Sequence, residues 1–274
     1  MRCKLKNIEI YYEIYGSGTP IIMIHGFTQD LRVVKGCMEP IFNGRSNFKR
    51  IYFDLPGMGK TEGKEWIESS DQILEIVIEL IEKILPDKKF IIVAQSYGAY
   101  IARGLIHKFF HNIMGICFIC PLIIPNPYER DLPEFKPMQL NSSLLEKLDP
   151  EDRKEFESMA IIQNKYVWER FRYDVLSGLN SANKRFLEKI FTKGYAFSFE
   201  VDKLTNKFKK PTLFLQGRQD PSAGYRDGWK VLENYSHASY IVLDRAGHLL
   251  QIEQKDIFES LINEWLNRVM DSSN

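Results

Sequence analysis

Apolar residues along this chain gather in short runs of strand length: IEIYYEIY, PIIMIH, RIYFDL, KFIIVAQ, IMGICFIC, PTLFLQG and SYIVLDRAG, separated by polar and helix-patterned stretches. Short, nearly continuous apolar runs are what strands buried on both faces look like. Their alternation with helical patterns predicts a mostly parallel sheet of about eight strands flanked by helices, an α/β fold. The first hairpin-like pair reads as antiparallel. Between RIYFDL and KFIIVAQ, SSDQILEIVIELIEKILP has apolar residues at helical spacing, a capping-box-like start from Ser69 to Gln72 and a proline stop at Pro86, and so predicts a crossover helix. IFESLINEWLNRVM predicts another near the C-terminus.

The alternation breaks after Cys120. PLIIPNPYERDLPEFKP packs five prolines into seventeen residues, an exit from the core, and helix-like, aromatic sequence follows until PTLFLQG resumes the sheet. Residues 1–121 and 208–274 are therefore expected to form the core. Residues 122–207 are expected to form an inserted helical lid over one end of the sheet.

Composition narrows the partners. With 274 residues and 44% apolar content the chain can bury a sizeable core. Its 37 lysines and arginines nearly cancel 36 acidic residues, so no broad field draws it to nucleic acid or an anionic membrane. MRCKLKNIEI lacks the apolar stretch of a signal peptide, and no run approaches the roughly 18–20 apolar residues of a membrane span, so a cytoplasmic protein is expected. Cys3, Cys37, Cys117 and Cys120 are too few and irregular for a disulfide framework. Cys117 and Cys120, three apart in a strand-like run, should point to opposite faces and stay buried and inert.

One corner carries chemistry. In FIIVAQSYGAYIARGLIHKFF an apolar strand stops and a helical pattern begins with Ser96 at the junction, between the small residues Ala94 and Gly98. A nucleophile on such a strained turn is pushed toward substrate and needs small neighbours two positions away. The helix that follows also aims the backbone N–H of Tyr97 at the corner.

The corner AQSYG, HGF at residues 25–27, DLPGMG at 54–59, GRQD at 217–220 and AGH at 246–248 together resemble the α/β-hydrolase superfamily over nearly the whole chain. The resemblance places the lid at the insertion and gives the backbone N–H of Phe27, with that of Tyr97, the oxyanion-hole role. Ala94 stands where many members carry glycine.

Serine needs a base, and the base needs an acid to hold its tautomer. Of five histidines, His25 precedes the HGF glycine, His107 and His111 end the elbow helix and His237 precedes a strand. Only His248 follows a strand end, at YIVLDRAGH, beside Ser96. Asp220, just past PTLFLQG, is the expected acid, ahead of Asp244 and Asp227. The order Ser96, Asp220, His248 is the one this fold uses.

These residues predict a serine hydrolase that cleaves a small carboxylic ester or related acyl substrate through an acyl-enzyme, without metal or organic cofactor. The same residues can also cleave carbon–carbon bonds, transfer acyl groups or form peracids, as in haloperoxidase-like relatives, and some members of the superfamily only bind ligand. A serine rather than an aspartate nucleophile argues against dehalogenase and epoxide-hydrolase chemistry. PGMGKTEGK imitates the end of a phosphate-binding loop, but Asp54 occupies the position where that motif needs glycine. In the lid, Tyr166, Trp168 and Phe171 are candidate pocket residues, while Arg170 and Arg172 read as solvated surface.

Overall fold

The computed structural model describes residues 1–272. Eight strands make one sheet in the order β1-β2-β4-β3-β5-β6-β7-β8. They are β1 (Arg2–Lys4), β2 (Glu9–Tyr15), β3 (Thr19–Ile24), β4 (Phe48–Phe53), β5 (Phe90–Gln95), β6 (Ile113–Ile119), β7 (Thr212–Gly217) and β8 (Ala238–Leu243). β2 runs antiparallel to both β1 and β4, and the other pairs are parallel. β1 escapes the apolar-run reading because it is three residues long and buries only Cys3.

Helices cover both faces. α1 (Arg32–Met38), α2 (Ser70–Ile84) and α3 (Tyr97–Phe109) precede β6; α9 (Tyr225–Val231), α10 (Leu250–Glu253) and α11 (Lys255–Asp271) follow β7. Between β6 and β7 lie α4 (Ser142–Leu145), α5 (Pro150–Met159), α6 (Lys165–Phe171), α7 (Ser177–Ser181) and α8 (Lys184–Lys193). The period-2 pleat divides the core. Ile22, Ile24, Ile92 and Ala94 pack with α2 and α3, while Ile21, Met23, Ile91 and Val93 pack with α1, α11 and the helical segment. α2 begins with the expected capping box, in which the Ser69 hydroxyl accepts from Gln72 N–H and the Gln72 side chain accepts from Ser69 N–H.

Cys120 departs from expectation. It lies one residue beyond β6 with φ 43°, which ends the strand alternation and turns it into the same buried cluster as Cys117. All four cysteines are free and buried. Among the described residues no helix is long and apolar enough to cross a membrane.

The helical segment is tied to α3 at both of its stalks. Arg103, fully buried, donates to the carbonyls of Leu122 and Ile123 at 3.0 and 2.9 Å as the chain leaves the sheet. It also donates to the Asp202 carboxylate at 2.6 and 2.7 Å as the chain returns. Arg103→Met removes these donors and strands two carbonyls and a carboxylate. It is expected to destabilise the fold by about 3 kcal/mol, read as a lower urea midpoint at unchanged slope.

Candidate active site

Ser96 sits between β5 and α3 with φ 52° and ψ −118°, a conformation that costs a non-glycine residue about 1–3 kcal/mol unless its surroundings impose it. Here they do. Ser96 N–H donates to Ile119 O at 2.9 Å, and Ser96 O accepts from Ala99 N–H at 3.0 Å and Leu122 N–H at 3.1 Å. Gly98 lets α3 come down on β3, since a Cβ there would lie 2.5 Å from the carbonyl oxygens of both Ile24 and His25. The corner thus leaves the Ser96 side chain half-buried at the carboxyl rim of the sheet, where a ligand can reach it.

Two further loops converge on the same rim. Asp220 follows β7, and Gly217 lets its loop approach the one after β8 so closely that a Cβ would lie 2.6 Å from Ala246 O. One oxygen of Asp220 accepts the N–H groups of Ser222 and Ala223 at 2.8 and 3.0 Å. The other accepts Nδ1–H of His248 at 2.8 Å. Because Nδ1 keeps its proton and donates it in a hydrogen bond to Asp220, Nε2 is left as an acceptor, and Ser96 Oγ stands 2.9 Å from it. The carboxylate and the imidazole are buried. The structure therefore joins Ser96, His248 and Asp220 in one relay. The rival acids are elsewhere: Asp244 is exposed and accepts from Gln219, and Asp227 accepts from Asp131 N–H and pairs with Lys230.

Cys120 borders the relay. Its Sγ, the Asp220 carboxylate and the His248 ring lie within 4.8 Å of one another. Both nitrogens of the His248 ring are already engaged, by Asp220 and Ser96, and the thiol stands beside that hydrogen-bonded chain. Burial, reinforced by Asp220, pushes that thiol well above its ordinary pKa.

The loop after β3 is held by His25. Its Nε2 accepts Leu55 N–H at 3.0 Å, so its proton resides on Nδ1, which donates to Gly26 O at 2.7 Å. Complete burial lowers its pKa and keeps it neutral. The bond to Gly26 O orients the Gly26–Phe27 peptide. Among the described residues neither Phe27 N–H nor Tyr97 N–H has a backbone acceptor, which leaves both free for a ligand. The rings of Phe27, Tyr97 and Tyr195 pack with centroids 5.1 Å apart in each pair. The glycine-rich DLPGMGKT turn wraps Asp54, whose carboxylate accepts Leu31 and Lys60 N–H at 2.9 and 2.7 Å, so it holds a side chain where a phosphate loop would hold a phosphate.

A cavity of about 480 Å³ opens beside the loop after β3. Phe27 and Thr28 form one wall, while Leu179, Ala182, Leu187 and Phe191 form the other, with Glu155, Lys184 and Glu188 also lining it. Tyr166, Trp168 and Phe171 do not line it. Phe171 is fully buried against Phe156 and Trp168, with ring centroids 5.2 and 6.1 Å away, and Tyr166 is exposed and accepts from Arg170. Trp168 and Phe171 serve the packing of the helical segment. Arg170 also departs from the solvated reading: it is paired at 2.6 Å with Asp174, whose carboxylate lies against Gly36 of α1. The wall residues on α8 were missed because an apolar stripe looks the same whether it meets a core or a cavity. Phe191, four residues after Leu187, keeps the same helical spacing, and its 45% exposure appears only in the structure.

Comparison with known proteins agrees with this fold. The profile of the family described as serine aminopeptidase, S33, matches residues 19–255. An α/β-superfamily hydrolase from Oenococcus oeni PSU-1 superposes with TM-score 0.88 at 28% identity, covering 98% of this chain and 99% of that one. A thermophilic esterase from Thermogutta terrifontis superposes with TM-score 0.71 at 20% identity, covering 98% of this chain and 99% of that one. In sequence, the pimeloyl-[acyl-carrier protein] methyl ester esterase of Legionella pneumophila (strain Corby) is 22% identical over 271 residues, 94% of this chain and 100% of that protein.

Gly98→Ala drives a methyl group into the carbonyls of Ile24, the last residue of β3, and His25 just beyond it. It is expected to cost about 1–3 kcal/mol and lower the melting temperature. A melting curve superimposable on wild type would mean that the corner is not packed as described.

Proposed function

The chain belongs to the serine aminopeptidase S33 family of α/β-hydrolases, and we propose that it is a serine ester hydrolase with Ser96, His248 and Asp220 as its catalytic residues. The observation that carries this reading is the unbroken relay, 2.9 Å from Ser96 Oγ to His248 Nε2 and 2.8 Å from Nδ1 to Asp220, ending at a half-buried hydroxyl. His248 takes the hydroxyl proton as Oγ attacks the ester carbonyl, and Asp220 stabilises the imidazolium that forms. The N–H groups of Phe27 and Tyr97 receive the developing oxyanion, each worth about 10²–10³ in turnover. The imidazolium returns its proton to the leaving alcohol, and water then cleaves the acyl-enzyme by the same route.

Residues 122–207 act as the lid of this site, since most of the cavity wall comes from them. The substrate is a small-molecule ester whose apolar group packs between Phe27 and the Leu187–Phe191 wall, in line with the methyl ester that the Legionella relative is named for. The four buried free thiols suit a reducing compartment, and we assign the protein to the cytoplasm.

A fluorophosphonate probe is expected to label wild type at Ser96 and to leave Ser96→Ala unlabelled. Labelling that persists in Ser96→Ala would remove Ser96 from its role. On short-chain aryl esters, Asp220→Asn is expected to lower kcat by about 10³–10⁴. Ala182→Trp, which fills the cavity, is expected to cost hexanoate esters about tenfold more in kcat/KM than acetate esters, and equal losses would put the acyl chain elsewhere.

A further inference from the structure

Glu253 ends α10, shortly after His248, and its carboxylate faces inward onto three amides from two parts of the chain. One oxygen accepts Gly247 N–H at 2.6 Å, the peptide next to the proposed catalytic base. The other accepts Ile161 N–H at 2.6 Å and Ile162 N–H at 3.3 Å, in the link between α5 and α6. The two segments also pack closely, since a Cβ on Gly247 would lie 2.6 Å from the side-chain Cγ1 of Ile161. Both ends of this bridge are therefore tight, and one anionic side chain spans them.

We propose that Glu253 is a positioning residue, a clasp that fixes the histidine loop to the helical segment so that His248 is aligned with Ser96 only when that segment is seated. This rests on the reading of Ser96 and His248 as nucleophile and base. Three charge-assisted N–H bonds are a strong restraint on loop geometry, and a displacement of about 1 Å at a catalytic group costs about 10² in rate.

The clasp depends on ionisation. No cation pairs with Glu253 among the described residues; the titratable groups facing it are Asp220 from the β7 loop, itself bonded to His248 at 2.8 Å, and Cys120 from the end of β6, and the helical segment presents backbone. Burial, opposed by the three N–H bonds and assisted by Asp220, raises its carboxyl from 4.5 to about 7. The folded state therefore holds this proton more tightly than the unfolded chain. The group's contribution to stability is present below about pH 4.5 and is lost as pH rises through about 7, while the anion that accepts all three amides forms over the same interval. Alignment is gained as pH rises and folding stability is given up.

Two measurements test this. In wild type, the amide resonances of Ile161 and Ile162, remote from the imidazole in sequence, are expected to titrate together near pH 7; resonances flat from pH 5.5 to 8 would overturn the clasp. In E253Q, kcat on an aryl ester is expected to fall about 10²-fold with KM within about threefold, and the ascending limb of log(kcat/KM) against pH to lose one proton's worth of slope. Wild-type kcat and an unchanged limb in E253Q would equally overturn it. Fluorophosphonate labelling separates the two readings: titrating amides in a protein whose Ser96 takes no label would uphold the clasp and fault the assignment of the nucleophile, whereas flat amides in a labelled protein would fault the clasp alone.

Discussion

The backbone of Ser96 is the constraint on which the site depends. A φ of 52° is unfavourable for serine, and it persists because Ile119, Ala99 and Leu122 all bond to the same residue while Gly98 lets α3 sit against β3. Those partners come from β6, α3 and the first stalk of the helical segment. Strain at one residue is thus balanced by three separate parts of the fold, and in return the hydroxyl stands clear of the sheet at the rim where the β7 and β8 loops deliver Asp220 and His248. Relaxing the corner would move Oγ away from an imidazole that it meets at 2.9 Å.

Around that corner, buried polar groups hold backbone in place. His25 uses one ring nitrogen on Leu55 and the other on Gly26, so that a neutral ring orients the peptide leading to Phe27. Asp54 gathers the Leu31 and Lys60 amides, Asp220 gathers Ser222 and Ala223, and Glu253 gathers Gly247, Ile161 and Ile162. Each is a side chain acting as the acceptor that a loop cannot find in a sheet or helix. Loops are the least regular part of an α/β fold, and here they are kept rigid by carboxylates and one imidazole because the chemistry tolerates little displacement.

Much of this was legible in the pattern of residues. The apolar runs are long enough and continuous enough that a buried parallel sheet is the arrangement that satisfies them, and the Ser69–Gln72 capping box marks the start of α2 without any tertiary information. Ser96 announces itself through its small neighbours, and His248 through its place after a strand. Short or solvent-facing features were harder. β1 has too few residues to show an alternation, and Cys120 sits where a positive φ breaks the alternation that predicted its direction. The aromatics of α6 were indistinguishable in sequence from pocket residues, because a ring packed between helices and a ring facing a ligand obey the same apolar spacing.

By itself the sequence determined what is local: where strands and helices begin, which turns need glycine, and which residue types can act as nucleophile, base and acid. These follow from backbone sterics, capping and side-chain chemistry within a few residues of one another. Only the tertiary structure decided what depends on distant parts of the chain meeting. It set the choice of Asp220 over Asp244 and Asp227 as the partner of His248, the tautomer of His25, the cavity between Phe27 and α8, and the joining of residues 161 and 162 to the histidine loop through Glu253. Hydrogen bonds of less than 3 Å are specified by the register of the sheet and the packing of its loops, which no short stretch of sequence contains.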